Sequence, residues 1–109
     1  MSATLHPGTL VVASAMPDPP FELTENGIAT EYDTRRVVYM QRALAGLKHA
    51  IDDGVDVRGY VAWSLLDNFE WMLGYTPKFG LVAVDLETQK RTIKPSAKLL
   101  GDIARRNSL

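Results

Sequence analysis

Glu25 closes a short apolar run, Phe21-Glu22-Leu23-Thr24, and stands directly before the turn signal Asn26-Gly27. A carboxylate at that point is accessible enough to act as a nucleophile or a base. On position alone it is as often an ordinary solvated loop acid. Further along, Ala62-Trp63-Ser64-Leu65-Leu66-Asp67-Asn68-Phe69-Glu70-Trp71 gathers two indoles, a phenyl ring and two acids. Isolated aromatics pack into a core more often than around a ligand, because a buried indole needs only a partner for its N–H. Glu70 argues the other way, since an acid between Phe69 and Trp71 has to be solvated or paired. Pyranose faces stack on rings, and sugar hydroxyls bind carboxylates, so the two blocks together meet the needs of a sugar site.

The elements that must position these residues are legible from spacing. Phe21–Thr24 reads as a short buried strand ending at Glu25. Asp33 or Thr34 can cap a helix in which Val37, Met40, Leu44, Leu47 and Ile51 recur at helical spacing, and Gly54 supplies the left-handed stop. Val57–Trp63 reads as a second strand, with Gly59 allowing a neighbour to approach closely. A polar and aromatic loop follows from Ser64 to Gly80. Phe79–Asp85 is a short extended run into a turn at Glu87-Thr88-Gln89-Lys90. Pro95 suits the first turn of a final helix, with Ala97, Leu100, Ile103 and Ala104 on one face.

This order predicts an α/β fold made of two βα units. In a parallel β/α barrel, chemistry gathers where strands end and the following loops begin. Glu25 and the Trp63–Trp71 block both fall at such ends, on one expected face. Residues 1–20 hold Pro7, Pro17, Pro19 and Pro20 and read as an irregular arm with at most a short strand at Thr9–Ala13.

Composition narrows the class. The 109 residues suffice for one small domain but not for the roughly 250 of a closed eight-stranded barrel. A net charge of −1 gives no reason to expect nucleic acid or an anionic membrane as partner. There is no cysteine, and His6 and His49 form no ligand motif, so neither a disulfide nor a metal site is expected. No apolar run approaches the ~20 residues that span a bilayer, and a cytoplasmic location is the default expectation.

The Thr24-Glu25-Asn26-Gly27 motif and the Trp63–Trp71 block together resemble glycoside hydrolase family 1, the β-glucosidase family, over its carboxy-terminal quarter. The resemblance runs through residues 21–105 and makes 21–109 the end of an incomplete (β/α)8 TIM barrel. It implies retaining hydrolysis of a β-linked glucoside or related sugar, without cofactor or metal. By this resemblance Glu25 is the nucleophile, forming a glycosyl-enzyme that water later hydrolyses. Trp63 would be the stacking floor, Glu70 a hydroxyl acceptor, Trp71 an indole donor and Phe79 a further ring of the pocket. Asp67 and Asn68 would shape the loop, and Thr88–Ser96 follows the family's ending as architecture. Arg35 and Arg36 read as a solvated pair at a helix start, and His49 as exposed.

A retaining glycosidase needs a second carboxylate. The family carries it in an Asn-Glu-Pro motif, which the sequence lacks. Glu22 lies three residues before Glu25 and faces the other side of a regular strand. Glu31 is in the following loop, Glu70 has a sugar-binding role, and Glu87 is in a distal turn. The expectation is therefore a β-glucosidase-like fragment, inactive alone, with the amino-terminal barrel portion as partner. A truncated remnant and a sugar-binding module without turnover remain the alternatives.

Overall fold

A computed structural model describes residues 21–109. The proline-rich arm and the Thr9–Ala13 strand lie outside the described residues. Strand β1 (Phe21–Asn26), helix α1 (Asp33–Asp52) and strand β2 (Val57–Ala62) form the first unit. β1 and β2 pair in parallel, with α1 as the long crossover that a parallel pair needs, and each has only the other as partner among the described residues. The register runs Phe21 to Val57, Glu22 to Gly59, Leu23 to Tyr60 and Asn26 to Ala62.

The apolar spacing of α1 does what the sequence predicts along most of its length. Met40, Leu44 and Leu47 are buried with Leu81, and Val57, Tyr60, Ala62, Ala97, Leu99, Leu100 and Ile103 pack around them. Ile51 departs from that expectation. At the end of the helix it is 48% exposed and lines an open apolar groove with Tyr60, Leu100 and Ile103. Gly54 stops the helix at φ 95°, a conformation costly for any residue with a Cβ.

The start of α1 corrects the capping expectation. Tyr32 occupies the cap position without a side-chain bond, and Asp33 is already helical. Its carboxylate serves another helix, α2 (Pro95–Arg106), accepting from the Ser96 N–H at 2.8 Å and the Ser96 hydroxyl at 2.7 Å. Asp33 thus satisfies an orphan donor in the first turn of α2. Pro95 opens that helix and Asn107 closes it in the left-handed region.

Between β2 and α2 lies a hairpin of which the sequence reading held only the first strand. β3 (Val82–Val84) falls within the expected extended run Phe79–Asp85 and pairs antiparallel with β4 (Arg91–Ile93), a strand that the sequence reading did not include. The Asp85 carboxylate accepts from the N–H groups of Glu87 and Thr88 and shapes the connecting turn.

Among the described residues Gly27 and Gly80 carry close contacts, and Gly59 does not. A Cβ on Gly59 would meet the Glu22 side chain at an ordinary 3.6 Å. A Cβ on Gly27 would fall 2.0 Å from the Trp63 carbonyl oxygen, and one on Gly80 would fall 2.2 Å from the Asp67 nitrogen.

Candidate active site

Glu25 sits near the end of β1 with its side chain exposed. Trp63 follows the last residue of β2, and its N–H donates to the Asn26 carbonyl at 2.8 Å. Because the strands are parallel, the carboxylate-bearing segment and the first tryptophan emerge at the same end of the sheet. Gly27 then packs against the Trp63 carbonyl, so the chain following Glu25 runs directly beside Trp63. The indole is 41% exposed, and the Trp63–Ser64 peptide is cis.

The loop from Ser64 to Gly80 is tied down at its base. Ser64 donates to the Phe79 carbonyl at 3.1 Å and accepts from Leu81 at 2.9 Å, which brings Phe79 alongside Trp63 in the chain's folding. Asp67 shapes the loop, as the family resemblance implied. Its carboxylate accepts from the Gly80 N–H at 2.8 Å and pairs with Lys94 at 2.9 Å. Asn68 donates to the Ser64 hydroxyl at 3.3 Å.

Glu70 and Trp71 lie midway along the same loop. Glu70 is half-buried and its N–H donates to the Gly74 carbonyl at 2.7 Å. Trp71–Leu73 forms a single 3-10 turn in which Trp71 is 83% exposed. Phe69 and Tyr75 meet edge to face, with centroids 5.5 Å apart. Glu25, Trp63 and Phe79 are therefore linked through backbone hydrogen bonds at the sheet end, whereas Glu70 and Trp71 stand out on the loop tip. No ion pair engages Glu25 or Glu70 among the described residues. Nor do three of His, Asp or Glu gather there as metal ligands would.

Arg36 overturns its surface reading. It is 3% exposed, donates to Asp33 at 2.7 Å and to the Thr30 carbonyl at 3.2 Å, and also reaches the carbonyls of Ile28 and Lys78. It pins the loop after β1 to the chain just before Phe79. Burial pushes the Asp33 carboxyl up, but hydrogen bonds from Ser96 and Arg36 outweigh that and hold it below the ordinary carboxylate value.

Three more polar groups near Glu25 escaped the sequence reading. The Asn26 amide donates to the Tyr39 hydroxyl at 3.1 Å, and the Tyr60 hydroxyl donates to the Asn26 side-chain oxygen at 3.1 Å. Burial, with the neighbouring Tyr39 phenol, pushes Tyr60 up to about 12, so it remains a proton donor throughout the neutral range. The Asn-Gly pair signalled only a turn, and nothing local marks the carboxamide as a bridge.

Two parallel strands joined through a helix, with Glu25 and Trp63 at one end of the pair, have the architecture of a segment of a β/α barrel. The pattern of glycosyl hydrolase family 1 matches residues 3–109, and the chain belongs to that family. The matched stretch begins before Phe21 and so takes in the proline-rich arm as well. Among curated relatives, the chain is 44% identical over 103 residues to β-glucosidase 44 of Arabidopsis thaliana, covering 94% of this chain and 20% of that one. It is 44% identical over 95 residues to a bifunctional β-D-glucosidase/β-D-fucosidase of Bifidobacterium breve, covering 84% and 20%. The β-glucosidase of Thermotoga maritima, solved with glucoimidazole, superposes with a TM-score of 0.81 at 39% identity, covering 84% of this chain and 23% of that one. The chain thus spans about a fifth of the length of the relatives it matches.

Proposed function

We propose that Glu25 is the nucleophile of a retaining β-glycosidase, with Trp63, Glu70, Trp71 and Phe79 contributing part of the sugar subsite. The observation that carries this reading is the Trp63–Asn26 backbone bond, which sets the Glu25 end of β1 beside the first aromatic platform. A Glu25 carboxylate oxygen attacks the anomeric carbon of a β-linked glucoside as the glycosidic C–O bond breaks. Water then hydrolyses the resulting ester, and the configuration is retained. The proton for the leaving oxygen comes from a second carboxyl about 5 Å away, supplied by strands of the barrel beyond this chain.

A leaving group that needs no proton separates the nucleophile from the missing acid. Incubated with 2,4-dinitrophenyl 2-deoxy-2-fluoro-β-glucoside, the full chain gains one fluoroglucosyl unit on Glu25 and releases dinitrophenolate. The C2 fluorine slows hydrolysis of the ester, so the adduct persists for mass spectrometry. Glu25→Gln takes up nothing. An adduct on another residue, or none, contradicts the assignment. Cellobiose, whose leaving group requires protonation, is left intact by the chain alone, since general acid catalysis contributes ~10²–10⁴-fold. A second reading, sugar binding without turnover, is favoured by the lack of an Asn-Glu-Pro motif. It predicts glucose binding with no covalent adduct.

A further inference from the structure

We propose that Asn26 is a positioning residue that holds the Glu25 carboxylate against the Trp63 platform, an inference that rests on the nucleophile reading of Glu25. The β1–β2 register is irregular at Glu25. Leu23 faces Tyr60 and Asn26 faces Ala62, so three steps along β1 match two along β2. The extra residue falls within Thr24–Glu25, and a bulge of this kind interrupts the ladder and re-aims a side chain. The regular sheet therefore fails to fix the segment that bears the carboxylate.

Asn26 replaces what the ladder lacks. Its carbonyl takes the Trp63 N–H, its side-chain oxygen takes the Tyr60 hydroxyl, and its amide gives a hydrogen bond to the Tyr39 hydroxyl. Three bonds thus reach three places: the start of the aromatic loop, strand β2 and helix α1. An Asn that merely makes a turn bonds its own backbone two residues on. This carboxamide instead spans two other elements. Gly27 extends the clamp, because the contact with the Trp63 carbonyl leaves no room for a side chain. Both residues after Glu25 are consequently fixed to the Trp63 backbone, which limits how far the segment bearing the carboxylate can shift from it.

Such fixing matters for attack, because an error of about 1 Å in near-attack geometry costs ~10²-fold in rate. The test follows covalent labelling of the full chain by the dinitrophenyl fluoroglucoside over a range of concentrations. Asn26→Ala lowers the limiting first-order rate by at least about tenfold while leaving the half-saturating concentration within about twofold, the split expected of misaimed attack rather than lost sugar contacts. Asn26→Asp, whose carboxylate can accept from both tyrosine hydroxyls, recovers the rate to within about fivefold of the parent. Tyr39→Phe and Tyr60→Phe each remove one bond and slow labelling by about threefold.

Labelling of Asn26→Ala at the parental rate, with parental circular dichroism, overturns the proposal and leaves the nucleophile reading intact. Should Asn26→Ala lose its helical signal, the two Tyr→Phe variants decide, and parental rates in both overturn it. An Asn26→Asp no faster than Asn26→Ala also overturns it. A parent chain that takes no label at Glu25 removes the nucleophile reading, and the proposal falls with it.

Discussion

At the base of the 64–80 loop, Ser64 and Gly80 are buried, and the chain there is joined to Phe79, Leu81, Val82 and Lys94 by hydrogen bonds. At the tip, Trp71 is 83% exposed, Met72 fully so, and Phe69 and Tyr75 have mainly each other. The base takes its order from polar bonds within the chain, including the Asp67–Lys94 pair and the Arg36 carbonyl cluster. The tip presents rings without an internal wall to lean on. That contrast divides the proposed subsite. Trp63 and Phe79 belong to the part that the chain itself can hold in shape. Glu70 and Trp71 belong to the part that a sugar, or neighbouring strands of a barrel, would have to complete.

The contrast breaks most directly at Arg36. Arg36→Ala strips a buried cation from Asp33 and three carbonyls, and should lower the unfolding free energy by about 3–5 kcal/mol in urea titrations. A loss below about 1 kcal/mol would mean that the base is held by something else. Gly27→Ala comes next, at about 1–3 kcal/mol, because its new methyl overlaps the Trp63 carbonyl. Gly59→Ala has ordinary room at Glu22 and is the internal control, expected to stay within about 1 kcal/mol of the parent.

Acid should act on the same base. The Asp33 carboxyl is lower in the folded chain than its ordinary 3.8, so the unfolded state binds the proton more readily. Its contribution to stability is complete above that ordinary value and is lost as pH falls through the lower folded one. Urea midpoints measured down through this window should fall more steeply for the parent than for Asp33→Asn. Equal slopes would remove Asp33 from the acid response. The smallest effect on stability belongs to the tip. Trp71→Ala should change the unfolding free energy by no more than about 0.5 kcal/mol. It should nevertheless weaken glucose binding, read by titration of the remaining tryptophan fluorescence. A large loss of stability would show that the tip is an internal packing element after all.

Much of this arrangement was legible because it is local. The spacing of Met40, Leu44 and Leu47 announced α1, and a strand before and after that helix announced the parallel pair with Glu25 and Trp63 at one end. The loop role of Asp67 came from the family resemblance rather than from its own spacing. What stayed hidden depends on residues far apart in sequence. Asp33 meets Ser96 across 63 positions, and Arg36 meets Lys78 across 42. An arginine surrounded by carbonyls carries no periodic signal, so it read as solvated. β4 escaped for a different reason. All three of its residues are exposed, which leaves no inward and outward alternation to detect. Asn26 was read for its turn propensity, while its side chain was committed to Tyr39 and Tyr60.

The central claim is that this chain supplies the nucleophile and part of the sugar platform of a family 1 barrel whose acid lies elsewhere. Co-expression of the 109 residues with the remaining strands of a family member tests that directly. The assembled pair is expected to hydrolyse a β-glucoside that neither part cleaves alone, and Glu25→Ala in this chain is expected to abolish the activity. Hydrolysis that survives Glu25→Ala would contradict the claim.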